Sequence, residues 1–260
     1  MSDLFEFGRA ADPDASSGYG ATGDMKKTQY VLQLLGSPGD AGTLKCLITA
    51  VEMGMETDCG ILDISVNEQH SSAYLEVSPY GTIPALKEAD YIVAGEQGIM
   101  SYIEARGLGR RLPPQNAALL AAQNYWSDVA CSEVGLHVEE IVKQRVYAPI
   151  LGKDPDHTAV DRAREGLEAA LDALDEQLAN NEFIIGSYSF ADIHWTAYIH
   201  LLCEAGEGAV VDQRPNIKAW LDRIRAHKSY SGQNIIAYDL LPTREDIKNK
   251  RLSSVEVSDY

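Results

Sequence analysis

The chain predicts an α/β unit followed by an all-helical unit, and three observations lead there. Short strand segments alternate with helical ones up to about residue 109 and do not recur after it. The run Arg110-Arg-Leu-Pro-Pro114 breaks the chain at that point. Beyond it, apolar residues return only at the spacing of amphipathic helices.

Residues 1–27 are rich in Gly, Ser, Ala and Asp without periodicity and read as an irregular extension. A strand over 29–35 leads into a loop of breakers, 36–42, and a helix starting near Thr43. Leu44, Leu47, Ile48, Val51 and Met55 share one face of that helix, which stops near Gly54. A second strand covers 57–63 and a short helix 68–76. Residues 85–87 and 91–94 form a hairpin, and a helix over 98–105 ends at Gly107. The order is β-α-β-α-β-β-α, with the first strand pair parallel and the second antiparallel.

In the second half, 116–148 is a long helical stretch broken by Pro149. The next helix buries Val160, Ala163, Leu167, Leu171, Leu174 and Leu178. Ser189 stands three residues before Asp192, the spacing of a capping box with aspartate in the usual glutamate place. Pro215 opens the last clear helix, whose inner face is Ile217, Trp220, Leu221 and Ile224. The organisation is thus an extension (1–27), an α/β domain (28–109), a helical domain (115–238) and a polar tail (239–260).

At 260 residues and 45% hydrophobic, the chain can fill one large core or two smaller ones. No apolar run reaches membrane-spanning length and the first residues lack a secretion signal, so the expected location is cytoplasmic. A net charge of -17 argues against nucleic acid and anionic membranes as partners. The four cysteines contain no Cys-x-x-Cys pair and read as core thiols in a reducing compartment. His137, His194 and His200 lack metal-ligand spacing with a third partner, so they read as helix-face residues and no metal is expected.

The segment Ser78-Pro79-Tyr80-Gly81-Thr82-Ile83-Pro84 places a proline at a strand start, directly after a β-branched residue. Either this is a plain edge-strand proline, or a cis Ile83–Pro84 bond turns the Ile83 amide outward to pair with a peptide-like ligand. With the element order, this segment resembles the glutathione transferase superfamily, which joins a thioredoxin-like N-terminal domain to an all-α C-terminal domain. Ser37-Pro38-Gly39 resembles the opening of the bacterial beta-class loop, and Tyr74-Leu-Glu-Val-Ser-Pro79 the segment before the family's cis-proline. Phe183-Ile-Ile-Gly-Ser-Tyr-Ser-Phe-Ala-Asp-Ile193 resembles the family's capping box, and Arg214-Pro-Asn-Ile-Lys-Ala-Trp220 its late helix. Ala191-Asp-Ile-His-Trp-Thr196 is also similar to tetrachlorohydroquinone reductive dehalogenase. The resemblance covers about residues 29–236.

It implies an enzyme that activates the thiol of glutathione, its cosubstrate, for attack on a small hydrophobic electrophile by conjugation or thiolytic cleavage. A detoxifying homodimer is implied with it. The family's activating hydroxyl or cysteine falls on Asp40, Ala41 and Gly42, none of which fits, so the nearest hydroxyls, Ser37 and Thr43, are the implied catalytic groups. Thr43 reads equally as a plain N-cap. Ile83 and Pro84 form the implied glutathione dock, with Gln69 or His70 toward the glycine carboxylate, although a polar-helix histidine is also simply solvated. Aligning on Ile99 and Tyr102 puts Gly95 and Glu96 where the family has Glu/Asp-Ser, with Gln97 adjoining. There Glu96 either repels the γ-glutamyl carboxylate, turns aside, pairs with the γ-glutamyl amine, or only stabilises a helix start. Tyr125, Trp126 and His137 are candidates for the electrophile wall, and aromatic residues on such helices are also common in cores. The altered activating positions favour a second reading, a non-catalytic binding or assembly module on the same fold.

Overall fold

The computed structural model describes residues 32–231 except 38, 56, 89, 108 and 110. The expected N-terminal extension, the start of the first strand and the tail from 239 lie outside the described residues.

β1 (Leu32–Gly36) is one of the two interior strands of a four-stranded sheet of order β2-β1-β3-β4. It pairs in parallel with β2 (Thr57–Ile61), from Leu32 opposite Thr57 to Gly36 opposite Ile61. On its other side it runs antiparallel to β3 (Ala85–Glu88), which forms a hairpin with β4 (Tyr91–Ala94). An interior strand is covered on both faces, which is why Leu32, Leu34 and Leu35 are all buried rather than alternating.

α1 (Ala41–Glu52) begins two residues earlier than Thr43, because the Asp40 carboxylate accepts from the Thr43 amide at 2.6 Å and caps the first turn. Nor does α1 bury a single face. It packs on α3 (Glu96–Arg106) and on α8 (Phe190–Leu202), so its whole circumference from Ala41 to Ala50 is enclosed, Lys45 included. The short helix expected over 68–76 is instead a 3-10 turn, Glu68–His70, followed by α2 (Ser72–Val77). Ser71 separates them with extended backbone while its hydroxyl accepts from Tyr74 N at 3.2 Å, a new N-cap. α3 starts at Glu96 rather than Gly98, since Gly95 at φ 88° reverses the chain one residue before it.

The helical region opens with α4 (Ala117–Val129), capped by Asn116, and continues through α5 (Leu136–Val142) to α6 (Ala148–Ile150). Wider π-turns at Ala130–Gly135 and Lys143–Tyr147 join these helices, and the expected break at Pro149 falls later, because the wider turn before the proline lets the helical backbone run through it to Ile150. α7 (His157–Leu178) buries the stripe its periodicity predicts. α8 is enclosed on every side and starts at the expected capping box. The π-turn Cys203–Glu207 and α9 (Ala209–Asp212) lead to α10 (Pro215–Ala226) and α11 (Lys228–Ser231).

Asp192 ties these pieces together. One carboxylate oxygen accepts from Ile184 N and from the Trp220 indole, each at 3.0 Å, and the other from the Ser189 amide at 3.0 Å. Burial pushes its carboxyl up to about 6, against the pull of those donors. Among the described residues no helix is long and apolar enough to cross a membrane.

Candidate functional site

The loop before β3 is held from one side. The Tyr74 phenol and the Ser78 hydroxyl both donate to the Thr82 carbonyl, at 2.8 and 2.9 Å. The next bond, Ile83–Pro84, is cis. Among the described residues no protein group hydrogen-bonds the Ile83 amide or carbonyl. The 3-10 turn carrying Gln69 and His70 lies against this loop: a methyl group on Gly81 would fall 2.6 Å from His70 Nδ1 and 2.8 Å from the Gln69 carbonyl. The Gln69 side-chain oxygen is buried there without a partner.

Opposite stands the first turn of α1. A methyl on Gly42 would meet Glu96 Oε2 at 3.0 Å, Pro84 Cδ at 3.1 Å and Asp40 Oδ2 at 3.3 Å, so the neighbouring N-cap and two sequence-distant groups converge on the space a single Cβ would occupy. Thr43 donates its hydroxyl hydrogen to Asp40 at 2.6 Å and accepts from Ser37 N at 3.2 Å. The buried Ser37 hydroxyl is hydrogen-bonded to the Tyr147 phenol, whose acidity burial suppresses so that it stays protonated. Burial pushes the Asp40 carboxyl up to about 6, with Glu96 adding to the rise and Thr43 opposing it.

Glu96 heads α3, whose first-turn amides carry no side-chain cap. Its carboxylate takes both oxygens to Lys45 Nζ at 3.0 Å, and that ammonium is wholly buried. Lys45 also donates to Tyr198 Oη at 3.0 Å and lies 3.7 Å from Cys131 Sγ. His194 completes the group, with Nδ1 3.4 Å from Cys131 Sγ and Nε2 3.2 Å from the Gln97 amide. Burial lowers its imidazole to about 3, helped by Lys45, so the ring is neutral. Beside this cluster a cavity of about 640 Å³ opens between α3 and α4.

The structure therefore brings Ser37, Thr43, Ile83, Pro84, Glu96, Gln97, Gln69 and His70 around one region of the sheet end. It does not bring Tyr125, Trp126 or His137 to the cavity, whose α4 wall is Gln123, Asn124 and Ser127. Tyr125 points outward, 62% exposed, and Trp126 is core, packed on Trp195. His137 faces α7, where a methyl on Gly166 would lie 2.2 Å from its ring. His194, read from spacing as a helix-face residue, is instead buried within the cluster, because its neighbours come from other elements.

A family model described as the C-terminal domain of glutathione S-transferase matches residues 137–228. Glutathione S-transferase F10 of Arabidopsis thaliana is 27% identical over 75% of this chain and 92% of its own length. Glutathione S-transferase 3 of Zea mays is also 27% identical, over 81% of this chain and 96% of its own. The crystal structure of glutathione transferase F7 from Populus trichocarpa superposes with a TM-score of 0.73 at 28% identity, covering 81% of this chain and all of that one.

The chain has the glutathione transferase fold. Similarity in both sequence and structure supports its place in the glutathione transferase superfamily. Within that fold Asp40, Lys45, Cys131, Tyr147, His194 and Tyr198 are side chains gathered in this region that sequence reasoning did not place there. Only Asp40 carried a local signal, an aspartate three residues before Thr43 at N-cap spacing.

Proposed function

We propose that the chain is a glutathione-dependent transferase that binds the thiol peptide at Ile83 and Pro84 and directs its sulfur at a small hydrophobic electrophile, by conjugation or thiolytic cleavage. The observation that carries this reading is the unpaired main chain of Ile83, fixed by Tyr74 and Ser78 and facing the start of α1. An extended peptide pairs with such backbone as it would with a strand edge. The named glutathione transferases similar to this chain support the activity.

Glutathione is the substrate here, and the uncapped amides at the start of α3, beside Gln97, suit its γ-glutamyl carboxylate. Glu96 does not stand free to repel that group, since Lys45 neutralises it. Gln69, with its unpartnered oxygen, and His70 lie on the side of the glycine end. Thr43 spends its hydrogen on Asp40, so it positions the loop, while the Ser37 and Tyr147 hydroxyls supply donors to a developing thiolate.

A panel of aryl halide, epoxide and aryl ether substrates with glutathione tests this. Turnover above background that falls in Ser37→Ala supports the reading, and absence of turnover across the panel contradicts it. One observation favours a binding or assembly role instead: Asp40 places a carboxylate on the α1 N-terminus, where a thiolate would otherwise be stabilised. Saturable glutathione binding without turnover on any substrate would establish that reading. The homodimer, the cytoplasmic location and the beta-class and dehalogenase likenesses of the short motifs belong to this proposal.

A further inference from the structure

Three side chains from three elements meet on the floor of the cavity between α3 and α4. Glu96 comes from the head of α3, Cys131 from the π-turn after α4, and His194 from the first turns of α8. Their ligating atoms, a carboxylate oxygen, a thiol sulfur and an imidazole nitrogen, lie within 4.8 Å of one another. Cys131 Sγ is 3.4 Å from His194 Nδ1 and 3.9 Å from Glu96 Oε1. In a tetrahedral site with metal–sulfur bonds of about 2.3 Å and metal–nitrogen or metal–oxygen bonds of about 2.1 Å, ligand atoms stand about 3.5 Å apart. Cys131 and His194 thus already stand at that separation, and the Glu96 carboxylate, within 4.8 Å of both, needs only a small shift to reach it.

We propose that Glu96, Cys131 and His194 bind one divalent transition-metal ion of the zinc type, leaving a fourth position open to the cavity.

The donor set is that of such ions: thiolate and imidazole suit a borderline-soft cation and disfavour calcium or magnesium, which take oxygen. Entry of the ion replaces the Cys131 thiol proton, which leaves to solvent, and forms the metal–sulfur bond with no change of oxidation state. Lys45 does not exclude the ion. Its ammonium holds Glu96 in place and partly offsets the two negative ligands, and a carboxylate has lone pairs for both partners.

A second, independent observation points to the open position. Gln123 lines the cavity, is 3% exposed, and its Oε1 has no hydrogen-bond partner. Ser127 Oγ, on the same wall, is also buried and unpaired. Both unpaired groups line the cavity onto which the fourth position opens, where they can bond water.

The site shares Glu96 with the glutathione reading but does not depend on it, and it is tested without glutathione. Cobalt(II) is titrated into the reduced, full-length protein. The expected result is a thiolate-to-cobalt charge-transfer band with tetrahedral d–d bands, saturating at one equivalent and bleached by zinc. Cys131→Ala and His194→Gln lose the band or weaken binding at least tenfold, and Cys203→Ala keeps it. Absence of the band in the wild type, or its persistence in Cys131→Ala, overturns the proposal. If those variants do not fold, zinc protection of Cys131 from iodoacetamide in the wild type, read by mass spectrometry, decides in the same way: protection supports the site and unaltered labelling rejects it. Glutathione calorimetry on the metal-free protein reads the thiol dock separately.

Discussion

The ammonium of Lys45 lies 3.0 Å from each oxygen of Glu96, joining the middle of α1 to the head of α3 across 51 residues of sequence. The lysine is buried and the glutamate about a quarter exposed. Removing one member of a buried pair strands the other charge, at roughly 3–5 kcal/mol when both are enclosed. Solvent reaching Glu96 reduces this.

Lys45→Met is therefore expected to lose about 2–3 kcal/mol in urea unfolding. Lys45→Met with Glu96→Gln recovers at least half of that, since no buried charge remains unpaired. A double variant no more stable than the single one contradicts the pairing.

Asp192 gives a pH signature. Its folded carboxyl is raised to about 6 from 3.8, so its contribution to stability is fully present below about pH 4 and is lost as pH rises through 6. Asp192→Asn lacks this titration. Between pH 4 and 7 the wild type should lose about 2–3 kcal/mol relative to the variant, beyond the constant cost of a misplaced amide. Parallel stability curves would show that Asp192 does not titrate in this window.

Ser37→Ala and Tyr147→Phe each remove one hydroxyl of the pair beside α1. Loss of a donor to a developing charge costs about tenfold to a hundredfold or more in turnover. The expected change is in kcat with glutathione KM little altered, and because the hydroxyls act as a pair the double variant falls short of the product of the single effects. A KM-only effect would move these groups from activation to binding.

Gly42→Ala places a methyl between Pro84 and Glu96, at 3.1 and 3.0 Å. Stability should change by less than about 1 kcal/mol, because alanine favours the helix while the contact opposes it. Glutathione affinity, measured by thermal shift, should fall at least tenfold. Unchanged affinity would mean that the thiol peptide does not pass this point.

The element order, the antiparallel hairpin and the buried stripes of α7 and α10 were legible because apolar spacing fixes them locally. Helix starts were misplaced where caps decided them: Asp40 moved α1 forward, Ser71 split the segment after β2, and Gly95 admitted Glu96 to α3. The proposed dock at Ile83 and Pro84 carried a motif, and the cis bond it anticipated is present. Its surroundings were not, since Lys45 meets Cys131 across 86 residues and Tyr198 across 153, and no periodicity encodes such approaches. The electrophile wall failed for a simpler reason. The α4 helix turns Gln123 and Ser127 to the cavity, while their aromatic neighbours Tyr125 and Trp126 face solvent and core.

Isothermal titration of the full-length protein with reduced glutathione tests the central claim most directly. The account predicts saturable binding at one site per chain with a dissociation constant in the millimolar range or below, accompanied by a rise in Tm. No heat and no thermal shift at millimolar glutathione would contradict it.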